Sequence, residues 1–148
     1  AKAISIHTAL ELGKRRSAQP YEEAKAFSSS QDVFAYFGNK LKDLPYEEFW
    51  ILLLNRANRM IEPLKISQGG ISGTVVDVRI VLRNAILKQA SSIIICHNHP
   101  SGNIKPSQQD KDITRKIKEA GALMDIKLFD HIIVADKDYF SFADEGMI

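Results

Sequence analysis

The feature that most constrains this chain is an apolar run that ends in two closely spaced histidines. Residues 92–99 are rich in β-branched side chains, a composition typical of a buried strand. His97 and His99 are two positions apart, so their side chains leave the same face of that strand. Pro100 and Gly102 follow and end the strand. The pattern therefore predicts two imidazoles side by side at one edge of a sheet.

A carboxylate follows the histidines at a spacing that suits a metal site. Ser107 is predicted to begin a helix, with Asp110 in its first turn, and ten residues separate His99 from Asp110. Two imidazoles and one carboxylate can converge on a single Zn²⁺. Three protein ligands leave the fourth tetrahedral position open, which is typical of catalytic zinc sites. We therefore predict a zinc site formed by His97, His99 and Asp110.

A simpler interpretation of the same residues competes with this one. Histidine pairs are common on protein surfaces, and Ser-x-x-Asp before a helix is an ordinary capping pattern. The helix phase favours the metal, because Asp110 shares a face with Ile113, Thr114 and Ile117, the face that the helix needs for packing. A carboxylate that points inward without a partner is costly, and a metal ion would be such a partner.

Composition excludes several classes of protein. The 148 residues suffice for one sizeable domain with an appendage, and 45% hydrophobic and 26% charged residues are ordinary for a globular protein. No apolar run is long enough to span a membrane, and the first residues do not resemble a signal peptide. The single Cys96 excludes an internal disulfide and suits the reducing cytoplasm. Because Cys96 alternates with His97, it is expected to face away from the metal and to pack in the core.

The rest of the pattern predicts helices and strands in mixed order, and hence an α/β fold with a mixed sheet. Pro63 restricts its strand to a sheet edge or a bulge, Gly121 is expected to cap the helix that begins at Ser107, and Ile86 is assigned to the core side of its helix. The predicted helices span residues 2–16, 31–42, 74 or 77 to 89, and 107–121. The predicted strands span residues 48–55, 59–67, 92–99, 126–135 and 139–142.

These motifs resemble the RadC branch of the JAMM (MPN+) metalloprotease superfamily. H-N-H-P-S-G followed by P-S-x-x-D is similar to its signature, and E-E-F-W-I-L-L-L-N, G-T-V-V-D-V-R and L-F-D-H-I-I-V are similar to further RadC blocks in the same order. The resemblance implies a JAMM/MPN (cytidine-deaminase-like) catalytic domain, a mixed sheet sandwiched by helices, over residues 31–148. Residues 1–18 resemble the last helix of a truncated helix-hairpin-helix module whose hairpin glycines are missing, and residues 19–30 a linker.

The resemblance also implies an activity. JAMM proteins are zinc-dependent hydrolases, metallopeptidases or isopeptidases that use a metal-activated water and a glutamate base from an early strand. Glu47 and Glu48 are both candidates for that base. The E-x-F spacing of the RadC branch selects Glu47, whereas other JAMM proteins favour the position of Glu48. Strand parity puts the two carboxylates on opposite sides, so only one can reach the metal.

Two other motif positions have weaker assignments. Ser107 matches the serine of the superfamily's S-x-x-D, which implies a role in holding the oxyanion of the tetrahedral intermediate. The alternative is that Ser107 only caps its helix. Asp130 and His131 match a family block and are interpreted as structural, or at most as supporting the metal ligands.

Two functions compete with the hydrolase. One is a DNA-associated repair or recombination factor in which the metal site is secondary, as the family's inherited name suggests. A net charge of +2 and the missing hairpin glycines predict at most weak DNA binding. The other is a zinc-stabilised interaction module, which the complete ligand set argues against. The expected partner is an unidentified protein or peptide substrate. No membrane association is expected, and the sequence leaves the oligomeric state open.

Overall fold

The computed structural model describes Ser5, Thr8 and residues 25–69, 76–136 and 138–148. Apart from Ser5 and Thr8, the predicted helix of residues 1–18 lies outside the described residues, as do residues 19–24 of the predicted linker. Among the described helices, none is long and apolar enough to cross a membrane.

The described residues form an α/β sandwich, in which one mixed five-stranded sheet lies between two helical layers. This confirms the predicted fold class. The sheet order is β2-β1-β3-β4-β5, with β3 and β4 parallel and the other neighbours antiparallel. The strands are β1 (Glu48–Leu54), β2 (Met60–Gln68), β3 (Ser92–Asn98), β4 (Lys127–Ala135) and β5 (Asp138–Ser141). The helices are α1 (Ser30–Leu41), α2 (Val78–Leu87) and α3 (Gln108–Ala122).

The central strand β3 is buried on both faces, which explains its continuous apolar run. Ile93 and Ile95 pack with residues of α2 and α3, whereas Ile94 and Cys96 pack with residues of α1. Each such side chain stabilises the fold by roughly 1.5–3 kcal/mol when fully buried. Cys96 is fully buried on the face opposite His97, as its place in the strand predicts.

The edge strand β2 accommodates a proline. Pro63 lies opposite Leu52 of β1, and β2 is the outermost strand of the sheet. Proline has no backbone N–H to donate, and in an edge strand this does not interrupt the hydrogen bonds between central strands. The predicted edge position of this strand is therefore confirmed.

The segment before α1 is held against the domain. Ala26 forms an isolated antiparallel bridge with Arg59, and Phe27 is buried in the core on the α1 face. Ser29 and Asp32 then form a capping box that starts α1. Residues 25–27 of the predicted linker thus pack against the sheet, while the boundaries of the predicted segments stay predictions.

The buried apolar face of helix α2 is narrower than the sequence predicts. Asp77 caps it by accepting a hydrogen bond from the Arg79 N–H, and Val81 and Leu82 are buried. The assignment of Ile86 to the core side is wrong, since Ile86 is 53% exposed. The helix ends at Leu87, and in its last turn Ala85 is buried whereas Ile86 and Leu87 are exposed.

Gly121 has a different role from the predicted helix cap. Helix α3 continues to Ala122, and Leu123 is its C-cap. A Cβ on Gly121 would lie 2.5 Å from the carbonyl oxygen of Ile126. The Ile126 N–H in turn donates to the Gly121 carbonyl over 2.9 Å. The glycine therefore permits the close return of the chain from α3 into β4.

We expect Gly121→Ala to lower the free energy of unfolding by roughly 1–3 kcal/mol, because a methyl group must displace backbone. Gly38→Ala in α1 is the matched control. Its Cβ would meet only the Phe34 ring, at 3.3 Å, and a side chain can shift. Both changes gain the same helix propensity, so the difference between their urea midpoints measures the backbone contact. Equal stability of the two variants would contradict this account.

Candidate metal centre

Three potential metal ligands meet where β3 ends and α3 begins. The Nε2 atoms of His97 and His99 are 3.0 Å apart. Asp110 Oδ1 lies 3.1 Å from His97 Nε2, and Oδ2 lies 3.5 Å from His99 Nε2. In the described part of the chain, these residues offer ligand atoms that all lie within 4.8 Å of one another. The structure thus brings together the three residues that the sequence assigns to zinc.

The cluster is closed on one side and accessible on the other. The His97 side chain is 4% exposed, whereas those of His99 and Asp110 are 12% and 14% exposed. Phe49 stacks on His97, with ring centroids 5.9 Å apart and planes 18° apart. The cluster is therefore accessible to solvent from the side of His99 and Asp110.

The turn after β3 orients His99. Its Nδ1 lies 2.6 Å from the carbonyl oxygen of Asn103. A carbonyl can only accept, so Nδ1 carries a proton, and Nε2 is the nitrogen directed at Asp110. Gly102 permits this turn with a φ of +76°, and its N–H donates to the His99 carbonyl over 3.0 Å.

Asp110 also caps α3. Its Oδ2 accepts hydrogen bonds from the Ser107 N–H over 2.7 Å and from the Ser107 hydroxyl over 2.6 Å. The Asp110 N–H donates back to Ser107 Oγ over 3.2 Å. The capping interpretation of Ser-x-x-Asp is therefore present in the fold. It does not compete with the metal interpretation, because Oδ1 of the same carboxylate contacts His97.

The charges of the cluster fit a bound cation. Burial alone would raise the pKa of Asp110, but its contacts with His97 and His99 hold that pKa well below the ordinary value. Burial alone would lower the pKa of His99, but the neighbouring Asp110 carboxylate raises it. Without a proton or a metal ion between them, imidazole lone pairs would face each other and a carboxylate. Two nitrogens and one oxygen are a ligand set that a transition metal accepts.

His131 lies behind His97, which agrees with the supporting role that the sequence analysis gave as one of its two alternatives. His97 Nδ1 is 2.8 Å from His131 Nε2, and His131 Nδ1 is 2.6 Å from Thr114 Oγ1. His131 is fully buried, and burial lowers its pKa well below the ordinary value, so the ring is neutral. The signal for His131 in the sequence was a histidine within an otherwise apolar strand. Its partner could not be read from sequence, because it depends on the pairing of β4 with β3.

The two candidate bases lie on different sides of the sheet. Glu47 is half-buried and close enough to His99 for its charge to raise the pKa of that imidazole. Glu48 is 6% exposed and accepts hydrogen bonds from Trp50 Nε1 over 2.8 Å and from Lys65 Nζ over 3.0 Å. Trp50 packs in the core on the α1 face, away from the histidines. The geometry therefore favours Glu47 over Glu48.

Asn98 fixes the backbone on both sides of Glu47. Its Oδ1 accepts from the Glu48 N–H over 2.8 Å, and its Nδ2 donates to the Tyr46 carbonyl over 2.9 Å. The Glu47 carbonyl itself accepts from the Gly69 N–H over 2.9 Å. These bonds hold the start of β1 beside the end of β3, and so keep Glu47 near His99.

A family model described as a RadC-like JAB domain matches residues 27–147. The chain is 48% identical over 147 residues to a UPF0758 protein of Flavobacterium johnsoniae, an alignment that covers 99% of this chain and 64% of that relative. A UPF0758 protein of Porphyromonas gingivalis is 40% identical over 149 residues, which is 100% of this chain and 66% of the relative. One of Geotalea uraniireducens is 42% identical over 148 residues, which is 100% of this chain and 65% of the relative. The chain thus spans about two thirds of the length of these curated relatives.

We expect one divalent metal ion per chain when the protein is purified without chelator, and its loss from His99→Ala and Asp110→Ala. Native mass spectrometry measures the stoichiometry. Asp32→Ala is the matched control for Asp110→Ala, because it removes the equivalent capping box from α1. Both capping changes should cost about 0.5–2 kcal/mol of stability, but only Asp110→Ala should lose the metal. Full metal retention by Asp110→Ala would contradict the three-ligand site.

Proposed function

Because the chain belongs to the RadC-like JAB domain family, we propose that it is a zinc-dependent hydrolase of the JAMM type that cleaves peptide or isopeptide bonds. The observation that carries the proposal is the convergence of two imidazole nitrogens and an ionised carboxylate, with a second carboxylate beside His99. A protein that only needed a stable helix start would not require two imidazoles against the capping carboxylate.

His97, His99 and Asp110 would hold the zinc ion. Imidazole nitrogens suit zinc better than they suit Mg²⁺ or Ca²⁺, which prefer oxygen ligands. Zinc supplies Lewis acidity when bound, which polarises a carbonyl and lowers the pKa of water. The accessible side at His99 and Asp110 leaves room for the scissile bond to approach.

Glu47 would act as the general base and acid. It takes a proton from the attacking water and delivers it to the leaving amine. Its position beside His99 supports this role, and the backbone bonds of Asn98 and Gly69 limit its movement. Glu48 is bound to Lys65 and Trp50 and is therefore held away from the histidines.

Ser107 would have two roles in succession. In the fold its hydroxyl donates to Asp110 Oδ2 and so orients a metal ligand. Ser107 is exposed at the start of α3, and we propose that its hydroxyl turns to the oxyanion as the tetrahedral intermediate forms. A good donor at that point contributes about 3 kcal/mol to catalysis.

The substrate is proposed only as a class, a protein or peptide that presents an amide or isopeptide bond. The alternative, a DNA-associated factor, would need a basic surface. Helix α3 carries Lys111, Arg115 and Lys118 along one side, but Arg115 is paired with Asp112, and the net charge is only +2. The hydrolase therefore has the stronger support.

We expect Glu47→Gln to keep the metal and to lower peptidase turnover by about 10²–10⁴-fold, as loss of a general base does. Fluorogenic peptides and isopeptide-linked substrates provide the assay. Glu48→Gln is the control, because its amide can still accept from Trp50 and it lies on the other face of the sheet. The proposal fails if the metal-loaded wild-type protein cleaves none of these substrates, and the base assignment fails if Glu48→Gln is the inactive variant.

We expect the chain to bind duplex DNA weakly, with a shallow dependence on salt. The net charge is only +2, so few phosphate contacts are expected, and each contact adds to the slope of log affinity against log salt. Fluorescence anisotropy at two or more salt concentrations measures that slope. A nanomolar affinity that falls steeply with salt would instead make DNA association the leading function.

A further inference from the structure

A buried string of polar groups runs from the start of α3 to His97, and the proposed hydrolysis does not itself use it. Thr114 Oγ1 lies 2.5 Å from the backbone carbonyl oxygen of Asp110 and 2.6 Å from His131 Nδ1. His131 Nε2 lies 2.8 Å from His97 Nδ1. Thr114 is 3% exposed and His131 is fully buried, so water cannot replace these partners.

The direction of each hydrogen bond in the string is determined by its first member. The Asp110 carbonyl can only accept, so the single hydroxyl proton of Thr114 is donated to it. Thr114 Oγ1 must then accept from His131, which puts a proton on His131 Nδ1.

The same reasoning continues to His97. The neutral His131 ring carries its proton on Nδ1, so its Nε2 is an acceptor. His97 Nδ1 must therefore carry a proton and donate it to His131. Nε2 is then the other ring nitrogen of His97, and this is the atom that faces His99 and Asp110.

We propose that Thr114 and His131 are positioning residues that keep a proton on Nδ1 of His97, so that Nε2 is the nitrogen offered at the metal position. The inference rests on the proposed function only for the identity of the cation. The proton on Nδ1 follows from the hydrogen bonds behind the ring.

Aromatic contacts restrict the orientation of the two imidazole rings, and the hydrogen bonds restrict the positions of their protons. Phe142 stacks on His131, with centroids 4.7 Å apart and planes 11° apart, and Phe49 covers His97. His99 is oriented differently, by the Asn103 carbonyl. Side-chain substitution can therefore change the tautomer of His97 while leaving that of His99 intact.

Thr114→Val and Thr114→Ser form the decisive pair. Valine keeps the shape but removes the acceptor for His131 Nδ1–H, which favours the other tautomer of His131 and then of His97. A proton on His97 Nε2 must leave before a cation binds. We expect Thr114→Val to weaken Zn²⁺ binding by about 10–100-fold, as loss of a partner behind a metal ligand does. Thr114→Ser keeps a hydroxyl and should restore both tautomer and affinity.

Two measurements on the full chain test this. Long-range ¹H–¹⁵N spectra of the metal-free protein report whether Nδ1 of His97 carries a proton, and Zn²⁺ competition with a chromophoric chelator reports affinity. The inference is overturned if Thr114→Val leaves the His97 tautomer unchanged, or if Thr114→Ser loses as much affinity as Thr114→Val. If the wild-type protein binds no Zn²⁺, the proposed function fails, but the spectra still decide the tautomer.

Should Thr114→Val not fold, as judged by circular dichroism, substitutions of His131 give a second test. The amide oxygen of His131→Gln can accept from His97 Nδ1, whereas His131→Leu offers no acceptor. The glutamine variant is expected to keep the Nδ1–H tautomer, and the leucine variant to lose it. Identical His97 spectra for these two variants would overturn the inference.

Discussion

The carboxylate of Asp110 is shared between a helix start and two imidazoles, and the candidate metal centre depends on this sharing. Oδ2 completes the capping box with Ser107 and so fixes where α3 begins, while Oδ1 meets His97. An ionised carboxylate in a half-buried position is costly without such partners. The same carboxylate therefore determines where α3 begins, how α3 meets the end of β3, and how the charge of the cluster is balanced. Because α3 also carries Ile117 into the core, packing against the sheet keeps the carboxylate at the end of β3.

The rigidity of the centre comes from satisfied polar groups rather than from the apolar core alone. His97 has partners at both ring nitrogens and an aromatic ring on its face, and each hydrogen bond behind it has a determined direction. Partners of this kind fix ligand geometry closely enough for metal binding. The amide of Asn98 likewise fixes the backbone around Glu47, at the start of the neighbouring strand β1. The site is therefore organised from three strands and one helix, and the turn after β3 contributes His99 and its partner Asn103.

The sequence predicted the local parts of this arrangement, and it failed where distant segments meet. Strand parity correctly put Cys96 on the face opposite His97, because it follows from backbone geometry alone. The bond of Glu48 to Trp50 agrees with its predicted separation from the histidines. The contact of His131 with His97 depends on the parallel pairing of β3 and β4, which no local pattern encodes. The role of Gly121 was misread for the same reason, since the obstacle to a side chain is the distant carbonyl of Ile126. The exposure of Ile86 depends on where the neighbouring elements end.

The register of β1 and β3 cannot be set by hydrophobic burial, because β3 is apolar on both faces. Shifting a strand by one residue exchanges its two faces, and here such a shift would bury as much apolar surface while turning His97 and His99 away from Asp110. A polar group must then distinguish the correct register. Asn98 does so, because its amide bonds the backbone of Tyr46 and Glu48 only when Phe49 lies opposite His97. The residue between the two histidines thus stabilises, from the opposite face of the sheet, the alignment that puts them beside Asp110 and Glu47.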